Sequence, residues 1–571
     1  MDPRGASRAV FARARPRASF SAVPRPRTVG RSGLGIREAG LATDAGLDLY
    51  LSRQFLPWRR DGEGILIAAA DTSAANLAWL RDTYGGVRIV SIAPRDLHRA
   101  IAHRFRERLS DDAVYSLWSK MPGLSARRIV TRSQAEAFAA TSVVVAVACC
   151  MWPSAVMEIL VAAMSVGFAI SATFRIALAL LSGRNEENSA PRSAEDVLPI
   201  YTILVPLYRE AKVLPQLVHA LSALDYPRDR LDIKLVVEED DVETCTVAEA
   251  LTVRGPFEVL RVPYSLPRTK PKACNYALRF ARGEHLVIYD AEDRPEPDQL
   301  RKAVDRFRNV PPETVCLQAR LAIYNAAGSW LAGMFALDYA VWFKALLPGL
   351  DKLRVPIPLG GTSNHFRTAI LRAAGGWDPF NVTEDADLGI RLAQLGYRVS
   401  MLDSTTFEEA PVRLDPWLKQ RSRWLKGYMQ TWLVHARDPV ALVRRVGVRG
   451  VAVLQLFLGG AIWSALFNPV LWLIFAVSSI YSQSDGDMQI LTMLARISGL
   501  GLFMANVMLM GIAVSGAPRK WTVVPYVLCF PVYFALISLG AYRGLWQLVF
   551  KPFYWEKTPH GQTHADGVIG V

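Results

Sequence analysis

Two short stretches of this chain hold side chains whose types and spacing suit chemistry. Thr383-Glu384-Asp385 puts two carboxylates side by side, and further along Gln420-Arg421-Ser422-Arg423-Trp424 supplies cations and a flat ring. A carboxylate can take a proton, a guanidinium can neutralise phosphate, and an indole can lie against a sugar face. Moving a sugar from a nucleotide onto a hydroxyl needs those three tools.

Local patterning predicts the elements that carry them. Thr383 reads as an N-cap, Leu388, Leu392 and Leu395 give an apolar helical face, and Gly396 ends the helix. Asp385 then falls in the first turn, where the helix dipole favours an ionised carboxylate. A second helix starts at Asp415-Pro416, a capping residue followed by proline at the first helical position. Trp417, Gln420, Trp424, Tyr428 and Thr431 share one face of it.

Upstream, short apolar strands alternate with helical patterns, which reads as a soluble α/β domain. Strands are expected at Tyr201–Val205, Ile233–Val237 and His285–Tyr289. The second and third run into acids, Glu238-Glu239-Asp240-Asp241 and Asp290-Ala291-Glu292-Asp293, and a loop between them holds Lys270 and Lys272. Ligands of open α/β sheets sit beyond the carboxyl ends of the strands. Acids there, with lysines nearby, suit a nucleotide diphosphate carrying a hard cation such as Mg²⁺. Solvated turn residues are the plainer reading of each acid cluster taken alone.

The 571 residues leave room for several domains, and 51% of them are hydrophobic. The net charge of +14 suits nucleic acid, anionic lipid or an anionic small substrate. No nucleic-acid-binding module is visible, which favours lipid headgroups and a nucleotide diphosphate. The six cysteines follow neither zinc spacing nor a disulfide framework, which suits a reducing cytosol.

Residues 1–45, rich in Arg, Ala, Pro and Ser, read as a disordered basic arm. Residues 46–125 hold a small α/β N-terminal module, with strands at Gly64–Ala70 and Val87–Ile92 and helices at Ser73–Thr83 and Pro94–Phe105. Residues 138–182 read as a tight transmembrane hairpin broken at Trp152-Pro153, with Arg175 and Arg184 marking its cytosolic end. Ala326–Leu350 reads as an amphipathic interfacial helix rather than a span. Three apolar blocks follow, Val451–Ser482, Met488–Gly516 and Trp521–Tyr542. The first, with a break at Asn468-Pro469, is taken as two spans rather than one, giving about six in all.

TILVPLYRE, KLVVEEDD, PRTKPKACNYAL, VIYDAEDRPEPDQL, TEDADLGIRL and QRSRW occur in the order seen in processive, membrane-bound family-2 glycosyltransferases, of which cellulose synthase is the best-known member. The chain most resembles bacterial exopolysaccharide β-glucan synthases of the cellulose-synthase-like group, over roughly residues 140–560. The resemblance implies a cytosolic GT-A-like, Rossmann-related α/β domain over 196–440, an α-helical transmembrane bundle including 448–545, and an interfacial helix and tail over 546–571. The N-terminal module resembles half of the N-terminal domain of type II secretion ATPases. It lacks the Arg-Leu-Gly opening that binds cyclic di-GMP there, so docking is the favoured role and cyclic di-GMP the lesser one.

By position, the resemblance implies Asp385 as catalytic base, with Glu384 beside it. Pro206, Tyr208, Glu210, Glu238, Glu239, Lys272 and Asp290 fall on the nucleotide-sugar pocket, with Gln420, Arg423 and Trp424 from the second helix. Glu238 and Glu239 stand where the family has aspartates. Asp290, Glu292 and Asp293 stand for the metal motif, for Mg²⁺ or Mn²⁺, with Glu292 and Asp293 as alternatives for one position. Thr362, Ser363, Asn364 and His365, with Trp424, stand for the acceptor site.

The function implied is an inverting synthase of a bacterial inner membrane, with a cytosolic catalytic domain. It would build a β-glycan from a nucleotide sugar, UDP-glucose being the family's commonest donor, and extrude it beside an accessory membrane or periplasmic subunit. A non-processive lipid glycosyltransferase and a catalytically inactive scaffold or receptor subunit are the alternatives.

Overall fold

The structure is a computed structural model, and it describes residues 41–62, 64–183, 198–251, 256–480, 486–514, 526 and 529–556. The basic arm up to residue 40 and Arg184 lie outside the described residues. The chain divides into two compact units, Met1–Phe105 and Arg106–Val571.

In the first unit, strands β1 (Phe55–Asp61), β2 (Gly64–Ala69) and β3 (Val87–Ser91) form one sheet, β1–β2 antiparallel and β2–β3 parallel. Helices Ala74–Tyr84 and Pro94–Arg104 follow β2 and β3, and Ser73 caps the first through its side chain. Leu80, Leu97 and Ile101 are fully buried along with Phe55 and Ile67. Strand β1 and the short helix Leu47–Ser52 went unread in the sequence. Strand β1 carries Pro57, Arg59 and Arg60, which blur its apolar alternation.

The second unit is built on a mixed eight-stranded sheet. Its strands are β4 (Tyr201–Leu207), β5 (Leu231–Glu238), β6 (Phe257–Val262), β7 (His285–Ile288), β8 (Arg294–Pro295), β9 (Thr314–Ile323), β10 (Asn364–Arg367) and β11 (Arg398–Glu408). They lie in the order β6-β5-β4-β7-β10-β9-β11-β8. Strands β4 to β7 pair in parallel, whereas β10 runs antiparallel to both β7 and β9. The chain moves outward from β4 through β5 to β6, then returns to place β7 on the other side of β4. That reversal opens a crevice at the carboxyl ends of β4 and β7. This is a GT-A-like α/β fold with apolar helices added.

The sheet's parallel half has an ionic anchor. Lys234 Nζ, fully buried, lies 2.9 Å from Asp232 and pairs with Glu258, and Asp232 also accepts from Arg282 at 2.9 Å and from Thr202 at 2.9 Å. Burial raises the Asp232 carboxyl, but Lys234 and Arg282 outweigh it and hold it far below its ordinary value. Such a pair inside apolar strands survives because every charge is answered.

Among the described residues four helices are long and apolar enough to cross a membrane: Arg132–Met151, Pro153–Ser182, Trp330–Leu353 and Pro439–Ile474. The break at Trp152-Pro153 is present, with Trp152 between the first two. Helix Arg132–Met151 buries none of its residues, and valines 143, 144 and 147 are exposed on it. Arg175 lies two turns inside the second helix rather than beyond its end, which corrects the reading of it as a terminal flank.

Three further expectations change. Trp330–Leu353 is not amphipathic: Leu331, Met334, Phe335, Phe343, Leu347 and Leu350 are buried on all sides of it. Gly349 backs so closely onto the main chain of Leu178 that any Cβ would overlap it, a small-residue helix contact. Gly460–Ile480 is one continuous helix containing Pro469, so this block runs through once, not twice. The interfacial helix expected at the start of 546–571 is the end of helix Phe530–Phe550 followed by an irregular segment, and residues 557–571 lie outside the described residues.

Candidate active site

A cavity of about 1000 Å³ opens beyond β4 and β7 and runs into the apolar helices. Pro206, Tyr208, Glu210, Glu238, Asp290 and Glu292 line it, together with Glu384, Asp385, Gln420, Arg423 and Trp424. The sequence expectation thus brought most of its residues into one space.

Helix Glu384–Gln394 delivers the acids. Thr383 sits at its N-cap but makes no side-chain cap; instead its backbone N–H donates to Asn381 Oδ1 at 3.0 Å. Asp385 accepts from the Ala386 N–H at 2.7 Å, so the carboxylate itself answers one of the helix's free donors. Gly396, at φ +84°, ends the helix as expected, while Leu395 is exposed rather than on the buried face. Burial raises the Asp385 carboxyl above its ordinary range, opposed by that hydrogen bond, Lys270 and Arg423. Glu384 is buried beside it and is pushed up to about 8 by burial and by the Asp385 charge. The two form a coupled pair in which Asp385 is the member that ionises first.

Helix Leu414–His435 carries the second motif, with Arg413 at its N-cap and Asp415 already inside the first turn. Trp424 lies in an aromatic box, its ring 5.7 Å from Phe335 and 6.1 Å from Tyr339, with the Arg421 guanidinium 4.9 Å above it. Arg423 reaches the other side, over Trp555 at 4.5 Å. Burial lowers its pKa, opposed by Glu384, Asp385 and Asp290, so one cation faces all three acids. Trp417 turns away and packs against Tyr533.

Several assigned residues do not face the cavity. Lys272 is buried against Glu238 at 2.9 Å, whereas Lys270 lines the cavity, donating to Asp290 Oδ1 at 2.5 Å and to the Gly361 carbonyl at 2.7 Å. Burial would lower the Lys270 ammonium, but Asp290 and Glu384 raise it strongly. Glu239 is held by Arg106 and by the Tyr264 N–H. Of the acceptor loop only Thr362 lines the cavity. Ser363 bonds Thr406, Asn364 bonds the Gly360 carbonyl, and His365 sits between Tyr201 and Gln299 inside the sheet. Burial drops the His365 imidazole to about 3, so it stays neutral.

The acids fit a hard cation in a limited way. Asp293 is buried, its Oδ2 taken by the Asp290 N–H at 2.7 Å and by Thr362. That leaves Asp290 and Glu292 on the cavity, and among the described residues no three His, Cys, Asp or Glu side chains gather closely enough to hold an ion by themselves. Mg²⁺ is ordinarily held by one or two carboxylates together with substrate phosphates, which this donor set matches.

Sequence reasoning missed Glu408, Arg127 and Tyr115, all on the cavity. Glu408 ends β11 and is pushed up to about 8 by burial and by Glu292 and Asp290. Tyr115 lies on helix Arg106–Lys120 and Arg127 in the segment after it, the Arg127 guanidinium 4.9 Å over the Tyr115 ring.

Residues 199–427 match the family described as glycosyltransferase like family 2. The probable glycosyltransferase YdaM of Bacillus subtilis is 26% identical over 246 residues, 42% of this chain and 58% of that protein. The beta-monoglucosyldiacylglycerol synthase of Synechocystis is 30% identical over 247 residues, 42% and 50% of the two chains. The probable glucomannan 4-beta-mannosyltransferase 10 of Arabidopsis thaliana is 27% identical over 249 residues, 41% and 43%. The chain spans about half the length of these curated relatives. A solved mannosyltransferase of Pyrobaculum calidifontis, in complex with GDP-Man and Mn²⁺, has a TM-score of 0.48 at 19% identity, covering 68% of this chain and 99% of its own. The matched stretch carries Glu384 and Asp385 as well as Trp424 and the rings of Phe335 and Tyr339 around it.

Proposed function

We propose that the chain is an inverting glycosyltransferase of a bacterial inner membrane. It polymerises a nucleotide sugar, UDP-glucose first among the candidates, into a β-glycan and passes the product into the bundle. One observation carries this reading: the cavity that holds Asp385 and Asp290 continues to Ser171, Gly460, Ala461 and Ser464 of two helices long enough to cross a membrane. Ser171, Ser464 and the rings of Trp342 and Phe457 offer hydroxyls and flat faces to sugar units there, beside apolar residues such as Leu456, Phe534 and Ile537.

The acceptor hydroxyl attacks the anomeric carbon from the face opposite the nucleotide. Asp385 takes the hydroxyl proton, the new glycosidic C–O bond forms, and the bond to the diphosphate oxygen breaks, so the anomeric configuration inverts. Arg423 and Lys270 lie where they neutralise the departing diphosphate, placed before the reaction and shielded from water. Asp290 and Glu292 would hold a divalent cation, Mg²⁺ or Mn²⁺, which supplies further charge neutralisation to the leaving group when bound. Trp424, boxed by Phe335 and Tyr339, offers its face to the terminal sugar of the acceptor.

A relative named for monoglucosyldiacylglycerol synthesis supports a second reading, transfer of one sugar to a lipid. Product analysis separates the two. Purified protein in lipid nanodiscs, given radiolabelled UDP-glucose and Mg²⁺, should yield high-mass material cleaved by a β-glucanase. Label confined to the organic phase would favour the lipid acceptor.

A further inference from the structure

Arg175 is a charged residue in the interior of Pro153–Ser182, a helix otherwise apolar enough to cross a membrane. Ionisable groups in such positions are costly to keep and face a partner or a polar space. Arg175 borders the active-site cavity, as does Ser171 one turn earlier on the same helix face. Its neighbouring carboxylate is Asp338, which shares with it both this cavity and a second, small one. Asp338, however, is already engaged: Arg421 Nη1 pairs with its Oδ2 at 2.7 Å. Arg421 in turn lies over Trp424 at 4.9 Å and donates to the Tyr533 hydroxyl at 2.7 Å. Two guanidiniums thus neighbour one carboxylate, and among the described residues the hydrogen-bonded ion pair to it is made by Arg421.

We propose that Arg175 is an acceptor-binding residue, donating hydrogen bonds to oxygens of the growing glycan one or more units behind the sugar that rests on Trp424. A guanidinium carries five N–H donors in a fixed plane, which suits the hydroxyl and ring oxygens along a sugar chain. Arg175 stands on a membrane-length helix and lines the same cavity as Trp424. Ser171 adds a hydroxyl on the same face, and the close seat of Gly460 against Ser171 keeps that wall thin. Such a contact holds the chain between additions, so its loss acts on how many sugars are added before release rather than on donor binding.

This inference rests on the polymerising reading, and the test keeps the two apart. Full-length protein in nanodiscs is assayed for UDP-glucose affinity by calorimetry, and for product length by gel filtration, as wild type, R175M and R175K. Polymer from wild type, unchanged donor affinity in R175M and a mean product length reduced about tenfold would support the proposal. Wild-type length from R175M would overturn it while leaving the polymerising reading intact. If wild type makes only a single-sugar product, the polymerising reading fails, and this proposal with it. Should R175M lose donor binding through misfolding, R175K decides: it keeps the charge but not the planar donor set, so shortened product supports the proposal and wild-type length overturns it.

Discussion

The Oδ2 atom of Asp385 lies 3.2 Å from the point where a Cβ on Gly361 would stand, while the carbonyl of that same glycine accepts from Lys270. One residue without a side chain therefore lets the proposed base, the cation and, through Lys270, Asp290 approach a common point. Gly361→Ala should cost at least tenfold in transfer rate with little loss of stability, since its neighbour is a carboxylate tip and not packed backbone. Comparing kcat with the melting temperature checks this.

Asp385→Asn removes the proton acceptor and keeps the shape. General bases contribute about 10²–10⁴-fold, and the variant should lose at least that much transfer while binding UDP-glucose within about threefold of wild type. Transfer near the wild-type rate would remove Asp385 from its assigned role.

The paired acids set a pH signature. Glu384 is raised from 4.5 to about 8 in the folded protein, so the native state binds its proton more tightly than the unfolded chain. Its contribution to stability is complete below pH 4.5 and is lost as pH rises through about 8. Glu384→Gln should flatten the melting temperature across that window. In the proposed mechanism transfer needs ionised Asp385, whose pKa is also raised, so activity should fall on the acid side at a pH above the ordinary aspartate value. An E384Q melting curve that still declines between those limits would count against the pairing.

Lys270 and Lys272 should fail in different ways. Lys270→Ala removes a cavity cation and should weaken nucleotide affinity about tenfold with the fold intact. Lys272→Ala leaves the side chain of Glu238, 5% exposed, without its partner, and unpaired buried charges cost about 3–5 kcal/mol. Calorimetric affinity and denaturant midpoint, measured on both variants, separate the two; equal effects on affinity would mean that both lysines reach the nucleotide.

Lys234→Met gives a control far from the chemistry. It strands Asp232 and Glu258 inside the sheet and should cost about 3–5 kcal/mol, with KM for the donor unchanged. In wild type the Asp232 contribution is present above its ordinary pKa and is lost as the pH falls towards the depressed folded value.

The two lysines also show why sequence reached only part of the site. They stand two positions apart at the start of helix Lys270–Leu278, about 200° around its axis. One must face the cavity if the other faces the sheet, and spacing alone does not say which. The resemblance put Ser363, Asn364 and His365 at the acceptor site, and nothing local showed that Asn364 and His365 belong to β10, a strand of only four residues between two antiparallel neighbours. A helix start and a helix face, written in local patterns, placed Asp385 and Trp424, while Arg423 entered through the resemblance of the QRSRW motif. Glu408 was not: Glu408 and Glu409 alternate across the end of β11, and only the tertiary arrangement brings one of them opposite Asp290. Arg127 and Tyr115 lay in a segment with no motif, placed by packing such as Asn275 Nδ2 donating to the Ala113 carbonyl at 3.0 Å.

The most direct test of the central claim, one cavity joining sugar transfer to the bundle, is the size of the product made by the purified full-length chain from radiolabelled UDP-glucose. High-mass β-linked glycan from wild type and none from Asp385→Asn is the predicted result. A single-sugar lipid product, or polymer made equally well by Asp385→Asn, would contradict it.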